Sequence, residues 1–307
     1  MDAPETIARN TASSSQGPLR PALKIQRTAL PEIHLGEALQ NGWIEFWYQP
    51  KIDLRKMQLS GAETFARARH PLHGLLPPGT FMPGADDDSL VLLAERAFVN
   101  ALEASATFSK LLGFSFPIDI NVHAAALQAL PLPQIISDNW TKSGNAPDIT
   151  FEVTEGQIVA SQTSIRPLLA KLQPAGVRLT IDDCIGRLSV TQLKELPISE
   201  IKIAQTRVAG CGDDSEKADT CQKVSDLAHE AGIESVAVGI ESEADLRAVF
   251  RMGCDQAQGF LFSAPLSQHQ FIALLRDRAS VHKRQSADKQ GKTAKSAQPT
   301  SRSRLTT

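Results

Sequence analysis

The feature that most constrains this chain is an alternation of short strand-like runs with helix-like runs between about residues 37 and 278. Eight runs have strand character: Ile44–Gln49, Gln58–Phe65, Ser115–Asn121, Ile149–Thr154, Val177–Asp182, Glu200–Ile203, Glu234–Gly239 and Gln256–Phe262. Amphipathic stretches fall between most of them. The clearest is Asp87–Leu112, where Leu90, Leu93, Ala94, Ala97, Ala101 and Leu102 recur at three- and four-residue spacing. Further helices are predicted over Ala124–Asn139, Gln162–Gln173, Val190–Leu196, Lys217–Ala231, Glu243–Met252 and Ser267–Asp277. Strands joined through helices pair in parallel. The first two runs are joined only by Lys51–Met57, which is too short for a crossover and predicts an antiparallel pair. The pattern therefore predicts an α/β fold, a modified (β/α)8 TIM-like barrel with an antiparallel first strand pair.

The flanks lack this alternation. Residues 1–36 are rich in Ser, Thr, Pro and Ala and read as a flexible leader, 37–278 as the barrel domain, and 279–307 as a disordered basic tail. Lys283, Arg284, Lys289, Lys292, Lys295, Arg302 and Arg304 stand against a single acid there, Asp288; such a run reads as a solubilising end, with weak contact to nucleic acid or anionic lipid as the less expected alternative. The net charge of −2 gives no chain-wide argument for nucleic acid or membrane as partner. No run approaches the roughly twenty apolar residues of a membrane span, and the N-terminus has no secretory apolar segment. The four cysteines contain no CxxC pair, which argues against a zinc site or disulfide framework and fits a reducing, cytoplasmic setting.

In such a barrel the chemistry sits at the C-terminal ends of the strands. Those ends are polar here: Glu63 and Arg67 at the second run, Asn121 at the third, Glu152 and Glu155 at the fourth, Asp182 and Asp183 at the fifth. Lys202 lies in the sixth, Glu241 follows the seventh and Gln258 lies in the eighth. Adjacent carboxylates such as Asp182 and Asp183 repel each other unless a cation holds them, although an Asx turn or helix cap is the plainer role of an Asp at a bend. Carboxylates with an Asn carbonyl suit Mg²⁺ or Mn²⁺, while Arg, Lys and Gln can hold phosphates and a base edge.

Many of these residues lie in ordered motifs. Tyr48-Gln49-Pro50-Lys51-Ile52-Asp53-Leu54, Gly61-Ala62-Glu63-Thr64-Phe65-Ala66-Arg67-Ala68-Arg69-His70-Pro71 and Pro77-Pro78-Gly79-Thr80-Phe81-Met82-Pro83 open the series. Ile120-Asn121-Val122, Phe151-Glu152-Val153-Thr154-Glu155, Ile181-Asp182-Asp183, Ile201-Lys202-Ile203 and Gly253-Cys254-Asp255-Gln256-Ala257-Gln258-Gly259-Phe260 follow. Together they resemble the EAL domain, the cyclic di-GMP phosphodiesterase family, over about residues 38 to 277. The resemblance implies that Glu63, Asn121, Glu152 and Asp182 hold one divalent metal, Mg²⁺ or Mn²⁺, and that Asp183 belongs to a second. It implies that Lys202 lies beside the attacking water and that Glu155 braces the loop after the fifth run. Glu241 and Gln258 are implied in substrate and metal-water contacts, Arg67 in a phosphate contact and Gln49 in a guanine contact. The implied reaction is in-line hydrolysis of cyclic di-GMP to pGpG by two metals.

The departures cluster at the chemistry. Glu63 of the signature is kept, but Thr64 and Phe65 replace Ala and Leu. The family's Ala-Glu-Gly is Ala237-Val238-Gly239, which puts a side chain without a lone pair where an acid for the second metal is expected. Its Asp-Asp-Phe-Gly-Thr-Gly is Asp182-Asp183-Cys184-Ile185-Gly186-Arg187, one residue closer to Lys202 than usual, and Ala204 replaces a further acid. The leading expectation is a degenerate member that binds cyclic di-GMP, a partner protein or both, with weak or no hydrolysis. The alternatives are an active phosphodiesterase in which Glu241 or a water replaces the missing acid, and a non-catalytic scaffold. A homodimer is compatible with each.

Overall fold

The computed structural model describes residues 33–140, 148–160, 172 and 177–278. The expected basic tail, all but the last few residues of the expected leader, and nearly all of the expected helix Gln162–Gln173 lie outside the described residues. The strands are β1 (Ile44–Asp53), β2 (Gln58–His70), β3 (Gly74–Leu76), β4 (Ile118–Asn121), β5 (Ile149–Thr154), β6 (Arg178–Cys184), β7 (Ile198–Ile203), β8 (Glu234–Val238), β9 (Gln256–Gln258) and β10 (Leu266–Ser267).

Eight of them close a barrel in the order β1-β2-β4-β5-β6-β7-β8-β9, with β9 returning to β1. The neighbours from β2 round to β9 are parallel, whereas β1 runs antiparallel to both β2 and β9. The antiparallel pair forms because residues 54–57 can make only a tight turn, with Met57 at φ 50°. Pairing is uneven around the ring. β1 and β2 share a long ladder from Ile44↔Ala68 to Asp53↔Gln58, while β1 and β9 meet only at Ile52↔Ala257 and Asp53↔Gln256. The strands β3 and β10 extend the sheet beyond the eight expected runs, pairing with β2 and β1.

The period-2 pattern decides what each face of the barrel wall carries. In β4, Ile118 and Ile120 alternate with Asp119 and Asn121; in β5, Phe151 and Val153 alternate with Thr150, Glu152 and Thr154; in β7, Ile201 and Ile203 alternate with Glu200 and Lys202. The apolar set packs outward into one core with Phe98, Phe108, Phe116 and Phe271. The polar set faces the lumen, because its members meet across strands that are not neighbours. Lys51 of β1 pairs with Asp119 of β4 and with Glu200 of β7, the latter at 2.8 Å. Gln256 of β9 donates to Glu200 at 3.2 Å and accepts from Ser60 of β2 at 2.6 Å.

The long helix Asp87–Leu112 has the predicted bounds. Asp86 caps it by accepting from the Ser89 N–H at 2.8 Å, and Gly113 ends it in the left-handed region at φ 80°. The expected helix Ala124–Asn139 is two helices, Ala124–Ala129 and Leu132–Trp140, because Pro131 has no N–H to continue the first. A helix over Leu35–Gln40 begins inside the expected leader and packs Leu35, Ala38 and Leu39 with Ile33, Ala68, Leu76 and Phe81 in a small separate cluster. Among the described residues no helix is long and apolar enough to cross a membrane.

Lys51 is 1% exposed and answers two buried carboxylates, so its ammonium is required by the fold rather than by solvent contact. Lys51→Met leaves Asp119 and Glu200 without their cation and is expected to cost about 3–5 kcal/mol, read as a lower urea midpoint at unchanged slope.

Candidate functional site

The site is built on Glu63, at the middle of the lumen-facing row of β2. Its Oε2 accepts from Lys202 Nζ at 2.6 Å and from Gln258 Nε2 at 3.0 Å, and its Oε1 accepts from Asn121 Nδ2 at 2.6 Å. Lys202 is also paired with Glu152. Gln258 donates in addition to Gln49 Oε1 at 3.1 Å, and Gln49 donates to the Ser263 carbonyl at 2.9 Å. Side chains from β4, β7 and β9 thus meet on one carboxylate of β2, with Gln49 of β1 and Glu152 of β5 one contact further out.

Burial opposes ionisation of Glu63, but the Lys202 ammonium and the amide donors together hold its pKa below the usual carboxylate value. Glu152 goes the other way. Burial first, then the charge on Glu63, pushes it well above the ordinary value although Lys202 pulls it down. Burial likewise raises Asp182, against the pull of Lys202 and with the push of Glu63. Burial alone would lower Lys202, yet Glu152 and Glu63 hold it well above a free lysine. One buried ammonium cannot neutralise all the acids around it.

The lumen as a whole has the same imbalance: the two ammonium groups of Lys51 and Lys202 face five carboxylates, those of Glu63, Asp119, Glu152, Asp182 and Glu200. Oε2 of Glu152 and Oδ1 of Asp119 are buried with no partner among the described residues, the other oxygen of each being paired with Lys202 or Lys51. Hard oxygen donors, surplus negative charge and orphaned carboxylate oxygens fit a divalent cation. Among the described residues, however, no three acidic, His or Cys side chains are gathered as a ready cage. Lys202 draws Glu63 and Glu152 onto itself.

A cleft of about 500 Å³ opens above this layer, lined among others by Gln49, Glu63, Arg67, Asp182, Asp183 and Gln258. Asp182 and Asp183 both reach it because β6 is irregular between Ile181 and Cys184, where Asp183 sits at φ 52°. Val238 and the exposed Glu241 share that cleft. Asn121 and Glu152 open instead on an adjoining cavity of about 220 Å³, which meets the cleft at Thr154 and Asp182. Lys202 lines neither. Arg67 lies half-buried over the Phe65 ring at 5.7 Å and donates to the Ala66 carbonyl; burial lowers its pKa. Of the two signature departures, Phe65 reaches the cleft, whereas the next position round the pleat, Thr64, does not.

Glu155 stands apart from the lumen acids and is fully buried. It accepts from the backbone N–H groups of Ile185 at 3.1 Å, Arg187 at 2.6 Å and Leu188 at 3.3 Å, and from the Cys184 thiol at 3.3 Å. The loop that follows Asp182 and Asp183 is therefore wrapped around this side chain. The sequence reading passed over Gln205, which lines the cleft and packs so closely on Gly239 that a Cβ there would overlap it. Its signal was faint, a lone polar residue just past the end of β7.

The EAL-domain family model matches residues 34–265. The chain is 32% identical over 239 residues to an uncharacterised Mycobacterium tuberculosis protein, covering 76% of this chain and 38% of that one. It is 33% identical over 255 residues to the cyclic di-GMP phosphodiesterase RocR of Pseudomonas aeruginosa, covering 81% of this chain and 64% of RocR. The PaMucR phosphodiesterase, solved as a c-di-GMP complex, superposes with a TM-score of 0.71 at 29% identity, covering 77% of this chain and 97% of that one. The chain thus spans well under half the length of the mycobacterial relative and less than two thirds of RocR.

Glu155→Ala removes the acceptor for three backbone N–H groups at once. Native-state hydrogen exchange at Ile185, Arg187 and Leu188 is expected to quicken about tenfold or more, while the amides of β4 and β5 keep their protection.

Proposed function

Because the chain belongs to the EAL-domain family, we propose that it is a degenerate member that binds cyclic di-GMP and hydrolyses it weakly or not at all. The observation that carries this reading is Val238, an apolar side chain in the wall of the cleft that holds Asp182 and Asp183. A second cation there would meet a methyl surface on that side, and the repulsion between the two aspartates would go less well compensated. The lower acids are intact. Glu63, Asn121, Glu152 and Asp182 would hold one Mg²⁺ or Mn²⁺, and Asp183 would contribute towards a second. When bound, such an ion neutralises phosphate charge and makes an attached water acidic.

The chain's own groups bind and orient the nucleotide. Arg67, with no acidic side chain pairing it among the described residues, would take a phosphate oxygen. Gln49 would offer a guanine edge its amide, held in place by Gln258 and the Ser263 carbonyl. Lys202 would keep a proton on Nζ beside Glu63 and Glu152, and Glu155 would hold the loop that presents Asp183. The names of RocR and of the PaMucR complex support cyclic di-GMP as the ligand class.

Glu241 favours one rival. It lines the same cleft as Val238 and could supply the missing oxygen, which would make the chain an active phosphodiesterase yielding pGpG.

Calorimetric titration with cyclic di-GMP and Mg²⁺ should give saturable heat, weakened about tenfold or more in Arg67→Ala, which corresponds to about 1.4 kcal/mol. In a chromatographic assay with Mn²⁺, pGpG should stay near background in the native chain and rise at least tenfold in Val238→Glu. Absence of heat at tens of micromolar sinks the ligand assignment. Release of pGpG by the native chain, lost in Glu63→Ala and in Glu241→Gln, establishes the rival.

A further inference from the structure

A further pocket of about 310 Å³ lies behind β2, under the helix Asp87–Leu112 and the short helix Pro78–Phe81, sharing Phe65 with the cleft and Asn121 with the smaller cavity. Its wall is almost wholly apolar, with Phe46, Phe65, Met82, Leu93 and Ile120 among the side chains, and among the described residues no charged one lines it. Two polar residues complete the wall. Asn121 has its amide committed to Glu63, whereas Thr64, 3% exposed, has a hydroxyl with no hydrogen-bond partner among the described residues. Protein interiors pack to near crystal density, and a buried hydroxyl without a partner costs free energy. The pocket opens to the surface much as the cleft does, and the cost it carries is that of the buried Thr64 hydroxyl in its wall, which a ligand could offset.

We infer that this cavity is a second binding site, for a small uncharged molecule that is mostly apolar and carries one hydrogen-bonding group. The volume lies at the lower end of small-molecule pockets and the lining excludes a charged or strongly polar ligand. The hydroxyl of Thr64 can donate or accept, so it would recognise a hydroxyl, carbonyl or N–H on an otherwise hydrocarbon body. Met82, flexible and polarisable, and shared with the neighbouring cavity of about 220 Å³, gives the wall room to adapt. Its recognising group, Thr64, has no part in the cyclic di-GMP reading and its probes need neither metal nor nucleotide, so its test stands or falls apart from that reading.

The probes are p-cresol and toluene, which share a ring and a methyl and differ by one hydroxyl. Without ligand, Thr64→Val should melt no lower than the native chain, because it removes an unsatisfied group while keeping the shape. Millimolar p-cresol should raise the native melting temperature by about 2 °C; Thr64→Val should lose most of that rise, and toluene should act on both chains alike. Ala97→Phe, which fills the space from the helix side, should abolish the response to both probes, with Ala97→Leu as the milder filling should the phenylalanine prevent folding. A marked loss of stability in Thr64→Val would show that the hydroxyl is already paired. Equal responses to p-cresol in the native chain and in the filled variants would place the binding elsewhere. Either result, or no rise in the native chain, overturns the proposal.

Discussion

The structure depends on one buried contact, the clasp of the Lys202 ammonium between Glu63 and Glu152. Burial at 1% exposure would drive the proton off this lysine without acids beside it, and Glu63 is held ionised against its own burial chiefly by the lysine. Because β2, β5 and β7 are not neighbours, this contact ties three sides of the wall through the middle of the barrel. Lys51 repeats the device lower down with Asp119 and Glu200. The lumen is thus a column of charge, where many barrels of this kind are filled with branched aliphatic side chains. Its surplus of carboxylates gives the upper end an appetite for cations that the protein alone does not meet.

The same clasp bears on how the acids would be used. Glu63 is already surrounded by donors and ionised, while Glu152 and Asp182 are pushed towards their protonated forms. An incoming cation would compete with Lys202 for Glu63 and Glu152 before it could share them. On the proposed reading, the contrast between this crowded lower layer and the apolar corner at Val238 would separate binding from turnover. The surplus carboxylates would draw a cation, and through it a phosphate-bearing ligand, while the symmetric grip that a two-metal displacement needs would be weaker on the Val238 side.

Most of the architecture was legible in the sequence, for identifiable reasons. Strands such as β5, with Ile149, Phe151 and Val153 against Thr150, Glu152 and Thr154, carry strict alternation, and the helix Asp87–Leu112 has both an Asp cap and a terminal glycine. The first hairpin followed from the length of its turn. The break at Pro131 was visible but underweighted, and β3 and β10, at three and two residues, are too short to leave a periodic trace. Within the site, the motifs marked Glu63, Asn121, Glu152, Asp182 and Lys202. Pattern could not reveal that Lys202 would hold two of those acids itself, nor that Asn121 and Glu152 would face a different cavity from Arg67. Both depend on side-chain directions across the lumen, which no linear spacing records. Thr64 is the clearest case: beside Glu63 in sequence, it faces away from it in space.

The seam between β1 and β9 has a mechanical consequence. The ring is joined elsewhere by registers of three or more residue pairs and is fastened there by two, as a bracelet is by its catch. Gln49 and Gln258 sit on opposite sides of that catch and are linked across it by a single amide contact. Slight parting of the fastening would widen the mouth and unhook a donor from Glu63 in one movement, while the rest of the hoop kept its form. Access to the interior could thus be set by the tightness of one joint, with no need for a hinged flap.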